Sequence, residues 1–328
     1  MDEMSDVEFV FQPPLAQVSQ LMLNVWRRPC WEYTPELLCS YLDKPDEDSS
    51  LSLGCYLGKE IIGYLAYLPQ VIQYHDEQFR MLYGTWWTAN HQYAGCGIGM
   101  KLQRKLLQAA RERNYQGILT ITHFGTHADK ANQRTFSFLK ESFNCINTFT
   151  QMITTPRMAR RRLSSVTPLD VCPYSPLLRL KCLSILNSPA NHVDLARVVQ
   201  ESEMDYILYS RPISHTWVYL RENSVKALIS IAEKKYLGET DANNAYIEYF
   251  VFEGLTKNEC LRFWRGVLED PFWNTIDTIC IPDIKYMPSE LLAEMGFCKT
   301  IKKFNLYHIP LDKHLNIKPV GSFYLPVF

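Results

Sequence analysis

The spacing of hydrophobic and polar positions changes several times along the first part of the chain, and each change predicts a different element. Apolar and polar residues alternate over residues 7–11, as in a half-buried strand. They recur at every third or fourth position over residues 16–26, as in an amphipathic helix. A second short helix is predicted over residues 34–42, with Thr34 as its N-cap and Pro35 in its first turn.

Strand-forming residues then dominate until a glycine-rich segment begins. Aromatic and β-branched residues in runs joined by short turns predict an antiparallel meander over residues 51–57, 61–74 and 79–89. A helix to about residue 114, a strand over 117–123, a helix over about 130–141 and a strand over 146–154 follow. The predicted order of the first half is therefore β-α-α-β-β-β-α-β-α-β.

The second half loosely repeats this pattern of predicted helices and strands, at a period of about 170 residues. Its predicted elements are a helix over 193–209, strands over 216–220, 225–236 and 245–252, a helix over 256–268, a strand over 275–281, a helix over 289–295 and a strand over 302–309. We therefore expect a mixed α/β (α+β) fold of two domains, residues 1–156 and 177–328. Each would be a mostly antiparallel mixed sheet flanked by helices. Residues 157–176, with several arginines and prolines, are predicted to be a solvated linker.

Composition excludes several classes of protein. Lys and Arg number 34 against 35 Asp and Glu, so the basic excess typical of a nucleic-acid binder is missing. The longest apolar run, residues 61–68, is too short for a membrane helix, and the acidic start does not resemble a signal peptide. The ten cysteines form no Cys-x-x-Cys pair. We therefore expect free thiols, no metal site, no membrane or nucleic-acid partner and a cytoplasmic location.

The most informative segment is Gly95-Cys96-Gly97-Ile98-Gly99, between a strand and a helix. Glycines let successive N–H groups converge, and a helix N-terminus adds unpaired N–H groups and a positive dipole. Together they predict a site for a phosphate or diphosphate. The dinucleotide fingerprint would need glycine at Met100, and a nucleoside-triphosphate loop would need Lys and Ser or Thr after Gly99, so neither motif is present.

This segment and its context resemble the GNAT acyltransferase superfamily, whose loop has the form Arg/Gln-x-x-Gly-x-Gly/Ala. Here the loop is Ala94-Gly95-Cys96-Gly97-Ile98-Gly99, and the predicted element order of residues 5–155 matches the family. The resemblance implies that acetyl-CoA or another acyl-CoA is a co-substrate. Its diphosphate would be held by the backbone at Gly95, Gly97, Ile98, Gly99 and Met100. Its pantetheine arm would lie along Trp87, Thr88 and Ala89, with a further contact from Asn132.

Two positions depart from the family pattern. Ala94 replaces the usual Arg or Gln, which removes a side-chain contact and leaves the backbone loop intact. Phe138 stands where the family often has a tyrosine general acid. We therefore predict His123, at a strand end, as the proton-handling residue, because imidazole titrates near neutral pH. Thr88 would orient the acceptor, and Trp86 and Trp87 should face opposite sides of their strand, one in the core and the other lining the acceptor cleft.

The corresponding loop of the second half, residues 253–259, has one glycine and two acidic residues, so we predict a degenerate second domain without an anion site. The leading hypothesis is an acetyl-CoA-dependent N-acyltransferase, a monomer or homodimer. Its acceptor would be a small-molecule or peptide amine, with a carrier-protein thiol as another option. Two alternatives stay open: a non-catalytic acyl-CoA sensor or scaffold, and an enzyme acting on a different phosphate ligand.

Overall fold

The computed structural model describes residues 7–26, 28–43 and 50–326. The strands are Val7–Phe11 (β1), Cys30–Trp31 (β2), Leu51–Leu57 (β3), Glu60–Tyr74 (β4), Glu77–Ala89 (β5), Gly117–His123 (β6), Asn144–Thr154 (β7), Cys172–Pro173 (β8), Leu195–Val198 (β9), Ser214–Arg221 (β10), Ser224–Leu237 (β11), Ala242–Phe252 (β12), Thr278–Asp283 (β13), Cys298–Pro310 (β14) and Phe323–Tyr324 (β15).

The helices are Leu15–Val25 (α1), Pro35–Leu42 (α2), Ile98–Glu112 (α3), His127–Leu139 (α4), Pro156–Arg162 (α5), Arg179–Asn187 (α6), Glu201–Asp205 (α7), Lys257–Val267 (α8) and Ser289–Glu294 (α9). The predicted element order of the first half is confirmed, apart from the short strand β2. Thr34 caps α2 as predicted, because its hydroxyl accepts a hydrogen bond from the Leu37 N–H at 3.2 Å. Among the described residues, no helix is long and apolar enough to span a membrane.

The first of two compact units contains the described residues of 1–70, 79–148 and 304–319. Its strand order is β1-β3-β4-β5-β6, followed by the part of β14 that begins at Phe304. β5 runs parallel to β6, whereas β1, β3, β4 and β14 make the antiparallel pairs. The buried stripe of α3 packs on this sheet, which makes the glycine segment before α3 part of a rigid strand–helix junction.

The second unit contains the described residues of 71–78, 149–303 and 320–328. The end of β7 pairs with β13, and the order continues through β12, β11 and β10 to β8. Here β12 and β13 are the parallel pair, and α8 packs its buried residues into the core of this unit. Each unit is thus a mixed sheet with mostly antiparallel pairs and flanking helices, which confirms the predicted fold class.

The closing strands of the two halves are exchanged between the units. Residues 304–310 of β14, from the end of the chain, pair antiparallel with β6 of the first unit. Residues 150–154 of β7 pair antiparallel with β13 of the second unit. The compact units therefore differ from the predicted ranges 1–156 and 177–328 by this exchange and by residues 71–78, which belong to the second unit. Two closing strands with similar apolar patterns carry no signal for which sheet each one joins.

Two segments differ from their predicted local structure. The solvated linker predicted over 157–176 instead begins with α5, where Ala159 and Leu163 are buried in the core of the second unit. The helix predicted over 193–209 is wrong in its first part, because β9 lies there and pairs with residues 71–74 of β4. All four residues of β9 are buried, so the strand shows no alternation of apolar and polar positions, and only its pairing partners identify it.

Candidate functional site

The glycine segment between β5 and α3 folds into a tight corner. A short 3-10 turn, His91–Tyr93, follows β5, and the N–H groups of Tyr93, Ala94 and Cys96 each donate to the carbonyl three residues earlier. Gly95 and Gly97 then take φ angles of 85° and 74°, in the region that side chains other than glycine rarely adopt. Gly97 is the N-cap of α3, and no side chain caps this helix. The corner therefore depends on glycine at both positions.

The N–H groups after this corner have no internal partner. The first helical bond runs from the Lys101 N–H to the Gly97 carbonyl at 2.9 Å. In the described part of the chain, no hydrogen bond is made by the backbone N–H groups of Gly95, Gly97, Ile98, Gly99 and Met100. Orphan N–H groups at a helix N-terminus, with the positive end of the helix dipole, attract an anion. These five are the residues predicted from the sequence for the diphosphate.

The start of α3 lies directly against β5 and β4. A Cβ on Gly99 would come within 2.4 Å of the Trp87 indole ring, and a Cβ on Gly63 would come within 2.6 Å of Ile98. Both glycines therefore permit close packing between helix and strand. The Trp87 indole nitrogen is buried beside Gly99 and has no hydrogen-bond partner within the described ranges. It adds a donor near the free N–H groups.

β5 separates from β6 after a short paired stretch. The pairing covers residues 81–84 of β5 and ends at Gly84 with Thr120, although both strands continue. The Thr120 hydroxyl donates to the Gly84 carbonyl at 2.9 Å and closes the paired part. Within the described chain, residues 85–89 of β5 therefore have an edge toward β6 that is not paired with it. Such an edge suits a linear ligand that carries amide groups.

Two of the predicted strand residues have defined surroundings. Thr88 is 2 % exposed, and its hydroxyl donates to the Trp86 carbonyl at 3.2 Å, so the hydroxyl is engaged within the strand. Ala89 is partly buried at the end of β5, where the Asn90 N–H bonds to the Ile62 carbonyl of β4 at 2.8 Å. The end of β5 is therefore anchored on its β4 side.

A buried polar cluster lies at the N-terminus of α4. Asp129 accepts hydrogen bonds from the Thr122 hydroxyl at 2.7 Å, the Gly125 N–H at 3.0 Å and the Tyr307 hydroxyl at 2.8 Å. Asn132, one turn further along α4, is buried as well. Burial would raise the pKa of Asp129, but these hydrogen bonds outweigh it and hold the pKa below its ordinary value. Asp129 is therefore ionised and fixes the turn between β6 and α4.

Tyr307 was missed by the sequence interpretation. It lies on the exchanged part of β14, and its ring stacks on Phe143 with centroids 4.0 Å apart. Burial, followed by the hydrogen bond to Asp129, raises the pKa of its hydroxyl. Tyr307 and Asp129 are 178 positions apart. No local sequence pattern could have paired them.

The two positions considered for proton transfer, His123 and Phe138, are both exposed. His123 is exposed at the end of β6, and its carbonyl accepts a hydrogen bond from the Thr126 hydroxyl at 2.7 Å. Its ring lies beside Phe304, with centroids 5.3 Å apart. Phe138 is 68 % exposed on α4, which makes it a surface residue of that helix. His123 therefore remains accessible to a ligand at the end of β6.

The junction between β12 and α8 is the second unit's counterpart of this corner. Thr256 caps α8, and the Glu259 carboxylate accepts hydrogen bonds from the Thr256 N–H at 2.8 Å and hydroxyl at 2.9 Å. These bonds, the backbone one first, lower the pKa of Glu259. Arg221 pairs with the same carboxylate at 2.8 Å. The chain's own carboxylate thus occupies the anion position.

The first junction combines groups that can bind an anion with a strand edge that is not paired with β6. It offers five free N–H groups, one at Gly95 and four in a row from Gly97 to Met100, with open space above Gly95 that a Cβ could enter without contact. Beside it lies the strand edge of residues 85–89. Within the described ranges, no three His, Cys, Asp or Glu side chains gather as metal ligands. The donor set is therefore that of an anion site built from the backbone.

Residues 20–140 match the family model described as the acetyltransferase (GNAT) family. No curated protein sequence matches the chain. Among solved structures, N-myristoyltransferase from Saccharomyces cerevisiae with bound myristoyl-CoA has a TM-score of 0.75 at 10 % identity, over 97 % of this chain and 81 % of that one. A tandem GNAT protein from the clavulanic acid biosynthesis pathway has a TM-score of 0.66 at 11 % identity, over 94 % of this chain and all of that one.

Both likenesses extend over nearly the whole chain, whereas the family match lies within its first half. This agrees with two copies of one fold, of which the first keeps the glycine corner and the second does not. Residues 20–140 therefore match the GNAT family, and the whole chain shares its fold with a tandem GNAT protein.

Proposed function

We propose that the protein is a coenzyme A-dependent N-acyltransferase that transfers an acyl group, acetyl in our proposal, from its thioester to an amine acceptor. The observation that carries the proposal is the row of unpartnered N–H groups at Gly95 and Gly97–Met100, beside the unpaired edge of β5. The match of residues 20–140 to the GNAT family supports it. The acceptor class is a small-molecule or peptide amine, and the proposed location is the cytoplasm.

The chain's own groups divide the work of binding. The free N–H groups of the corner would bind the diphosphate. The edge of residues 85–89 would bind the amides of the pantetheine arm, and Asn132 would contact the arm from α4. Backbone N–H groups of the same edge, near Thr88 and Ala89, would stabilise the oxyanion that forms when the amine attacks the thioester carbonyl.

Proton transfer is assigned to His123. Attack by a neutral amine forms the C–N bond, breaks the C–S bond and leaves one proton to be removed from the nitrogen and a thiolate to be protonated. His123 is an exposed imidazole at the end of β6, and its ring nitrogen would accept the amine proton. The nearby Asp129 cluster fixes the turn that follows His123. The thiolate would take its proton from water or from the imidazolium.

Calorimetric titration with acetyl-CoA tests the binding step, and single-turnover acyl transfer to a panel of amines tests the chemistry. We expect one binding site per chain and an acylated amine product. We expect His123→Gln to lower the turnover rate by about 10²- to 10⁴-fold without weakening acetyl-CoA binding. Absence of binding at millimolar acetyl-CoA would contradict the proposal.

One observation favours a second candidate, a non-catalytic acyl-CoA sensor. The position at which the family often has its tyrosine acid is Phe138, and it faces solvent. The Thr88 hydroxyl is also bonded to the backbone. A sensor would bind acetyl-CoA as tightly as an enzyme but would release no free thiol with any amine or thiol acceptor. Measuring thiol release across the same panel separates the two functions.

A further inference from the structure

Three buried aromatic residues form a wall on one side of β5. We call Tyr33, Tyr41 and Trp86 the aromatic wall. The Trp86 ring meets the Tyr33 ring at 5.9 Å and the Tyr41 ring at 5.8 Å, both edge to face. All three residues are at most 7 % exposed. The indole N–H of Trp86 also donates to the Tyr33 hydroxyl. Rings held in this way are large and well packed.

The two neighbouring tryptophans of β5 face different surroundings. Trp87 packs against Gly99 at the start of α3, beside the glycine corner. Trp86 packs against Tyr41 of α2 and against Tyr33 just before it. The aromatic wall therefore lies on the face of β5 away from the corner.

Trp86 also lies where the groove between β5 and β6 closes. The last β5–β6 pair is Gly84 with Thr120, two positions before Trp86. A linear arm that starts at the glycine corner and follows residues 89 to 85 runs toward this closed end. With the thioester carbonyl near Thr88 and Ala89, the acyl chain beyond it would therefore point toward Trp86.

The backbone of Trp86 is in an unusual conformation. Its φ angle is 57°, a left-handed value that is sterically unfavourable for a bulky side chain. Its ring contacts with Tyr33 and Tyr41 hold it there. Strained residues that the surrounding packing keeps in place cluster at functional sites, and this one stands at the end of a proposed ligand groove.

We infer that the aromatic wall restricts the acyl group to a short chain, about two to four carbons long, and that Trp86 is the specificity-determining residue. The inference rests on the proposed function, because it places the coenzyme A arm along β5. A longer chain must displace a ring from a close-packed cluster, and overpacking of this kind weakens binding. The shared fold with an N-myristoyltransferase therefore does not extend to the length of the acyl chain.

The test compares the dissociation constants of free CoA, acetyl-CoA, butyryl-CoA and octanoyl-CoA by calorimetry. For the natural sequence we expect octanoyl-CoA to bind about 10- to 100-fold more weakly than acetyl-CoA. Trp86→Gly removes the ring and suits the left-handed φ, so we expect it to reduce that difference to less than about threefold. Tyr41→Ala removes a ring of the same wall from α2, and it replaces Trp86→Gly in the test if that variant does not fold. Tyr41→Phe keeps the ring and should leave the difference unchanged.

The outcomes separate the inference from the function on which it rests. If neither free CoA nor acetyl-CoA binds, the proposed function fails, and the inference fails with it. If both bind but octanoyl-CoA binds equally well, or if both wall-opening variants keep the full discrimination, the function stands and the inference is overturned. Weak binding of octanoyl-CoA that either opening variant restores supports the inference.

Discussion

The junctions β5–α3 and β12–α8 occupy the same place in their units, and they treat a helix N-terminus in opposite ways. In the first, Gly97 caps α3 without a side chain, and the N–H groups that follow stay free. In the second, Thr256 and Glu259 form a capping box, and Arg221 neutralises the carboxylate. One junction is open to an external anion, whereas the other already contains one.

The strands that lead to these junctions differ as well. The edge of β5 beyond Gly84 has no partner in β6 among the described residues. In β12, the Phe250 N–H is bonded to the Tyr324 hydroxyl at 2.8 Å, and the neighbouring Glu248 is paired with Arg211 inside the unit. A repeat can therefore keep its fold while its own side chains cap a helix N-terminus that the other repeat leaves free. Binding is therefore expected in the first unit alone.

The largest effect is expected when the first junction is given a carboxylate like that of the second. Met100 is at the position of α3 that Glu259 occupies in α8, and its Cε lies 3.6 Å from where a Cβ on Gly97 would be. Met100→Glu therefore brings a carboxylate to the free N–H groups. We expect coenzyme A affinity to fall more than about 100-fold by calorimetry, with no loss of thermal stability, because an acid in the first turn favours a helix.

Met100→Gln is the matched control, since it has the same length without the charge. It should retain affinity within about fivefold, as expected when no buried charge opposes the anion. Equal losses in the two variants would show that charge does not govern the site.

The second prediction concerns the close contact under the corner. Gly99→Ala places a methyl group 2.4 Å from the Trp87 ring, so the helix start or the ring must move. We expect coenzyme A to bind about 10- to 100-fold more weakly, which corresponds to a packing cost of about 1–3 kcal/mol. The double variant Gly99→Ala/Trp87→Leu removes the opposing ring atoms and should recover part of the affinity. A single variant with unchanged affinity would refute the steric argument.

The third prediction tests the residue supplied by the exchanged strand. Tyr307→Phe keeps the stacking on Phe143 but removes the hydroxyl that donates to Asp129. We expect a loss of about 1–3 kcal/mol in the free energy of unfolding at pH 7, because a buried carboxylate loses a partner. Urea titration measures this loss.

The pH dependence gives Tyr307→Phe a second readout. The pKa of Asp129 is lowered in the folded protein, so its contribution is present above the unfolded value of about 3.9 and is lost as pH falls through the folded pKa. Removal of the Tyr307 hydroxyl should raise the folded pKa and move the acid transition to higher pH. An unshifted transition would mean that the hydroxyl does not stabilise the carboxylate.

The smallest expected effect lies in the second unit. Thr256→Ala removes the N-cap of α8 and should cost about 1 kcal/mol of stability, measured by urea titration. Coenzyme A affinity and stoichiometry should not change, because the Glu259 carboxylate and the bonded Phe250 N–H remain. A new coenzyme A site in this variant would show that the cap alone had closed the second junction.

The sequence was sufficient to predict whatever depends on neighbouring residues. The glycines of the corner, the Thr34 cap and the alternation in β5 and β6 are local signals, and the structure agrees with them. The exchange of closing strands could not be predicted from local patterns. Residues 304–310 could pair with either of two similar sheets, and they pair with β6. The contact of Tyr307 with Asp129 follows from that exchange, and so it was missed too.

The backbone conformation of Trp86 could not be predicted from the sequence either. Nothing in the sequence around this tryptophan predicts a left-handed φ inside a strand, since glycine or asparagine is the usual signal. The predicted opposite placement of Trp86 and Trp87 needed only strand alternation, but the strain at Trp86 depends on rings from another segment.

The number of coenzyme A molecules bound per chain shows whether the free N–H groups of α3 form the binding site. Calorimetric titration of the natural sequence should give one site per chain, the Met100→Glu variant should give none, and Glu259→Gln should still give one. Two sites in the natural sequence, or one site that persists in Met100→Glu, would contradict the assignment of binding to the free N–H groups of α3.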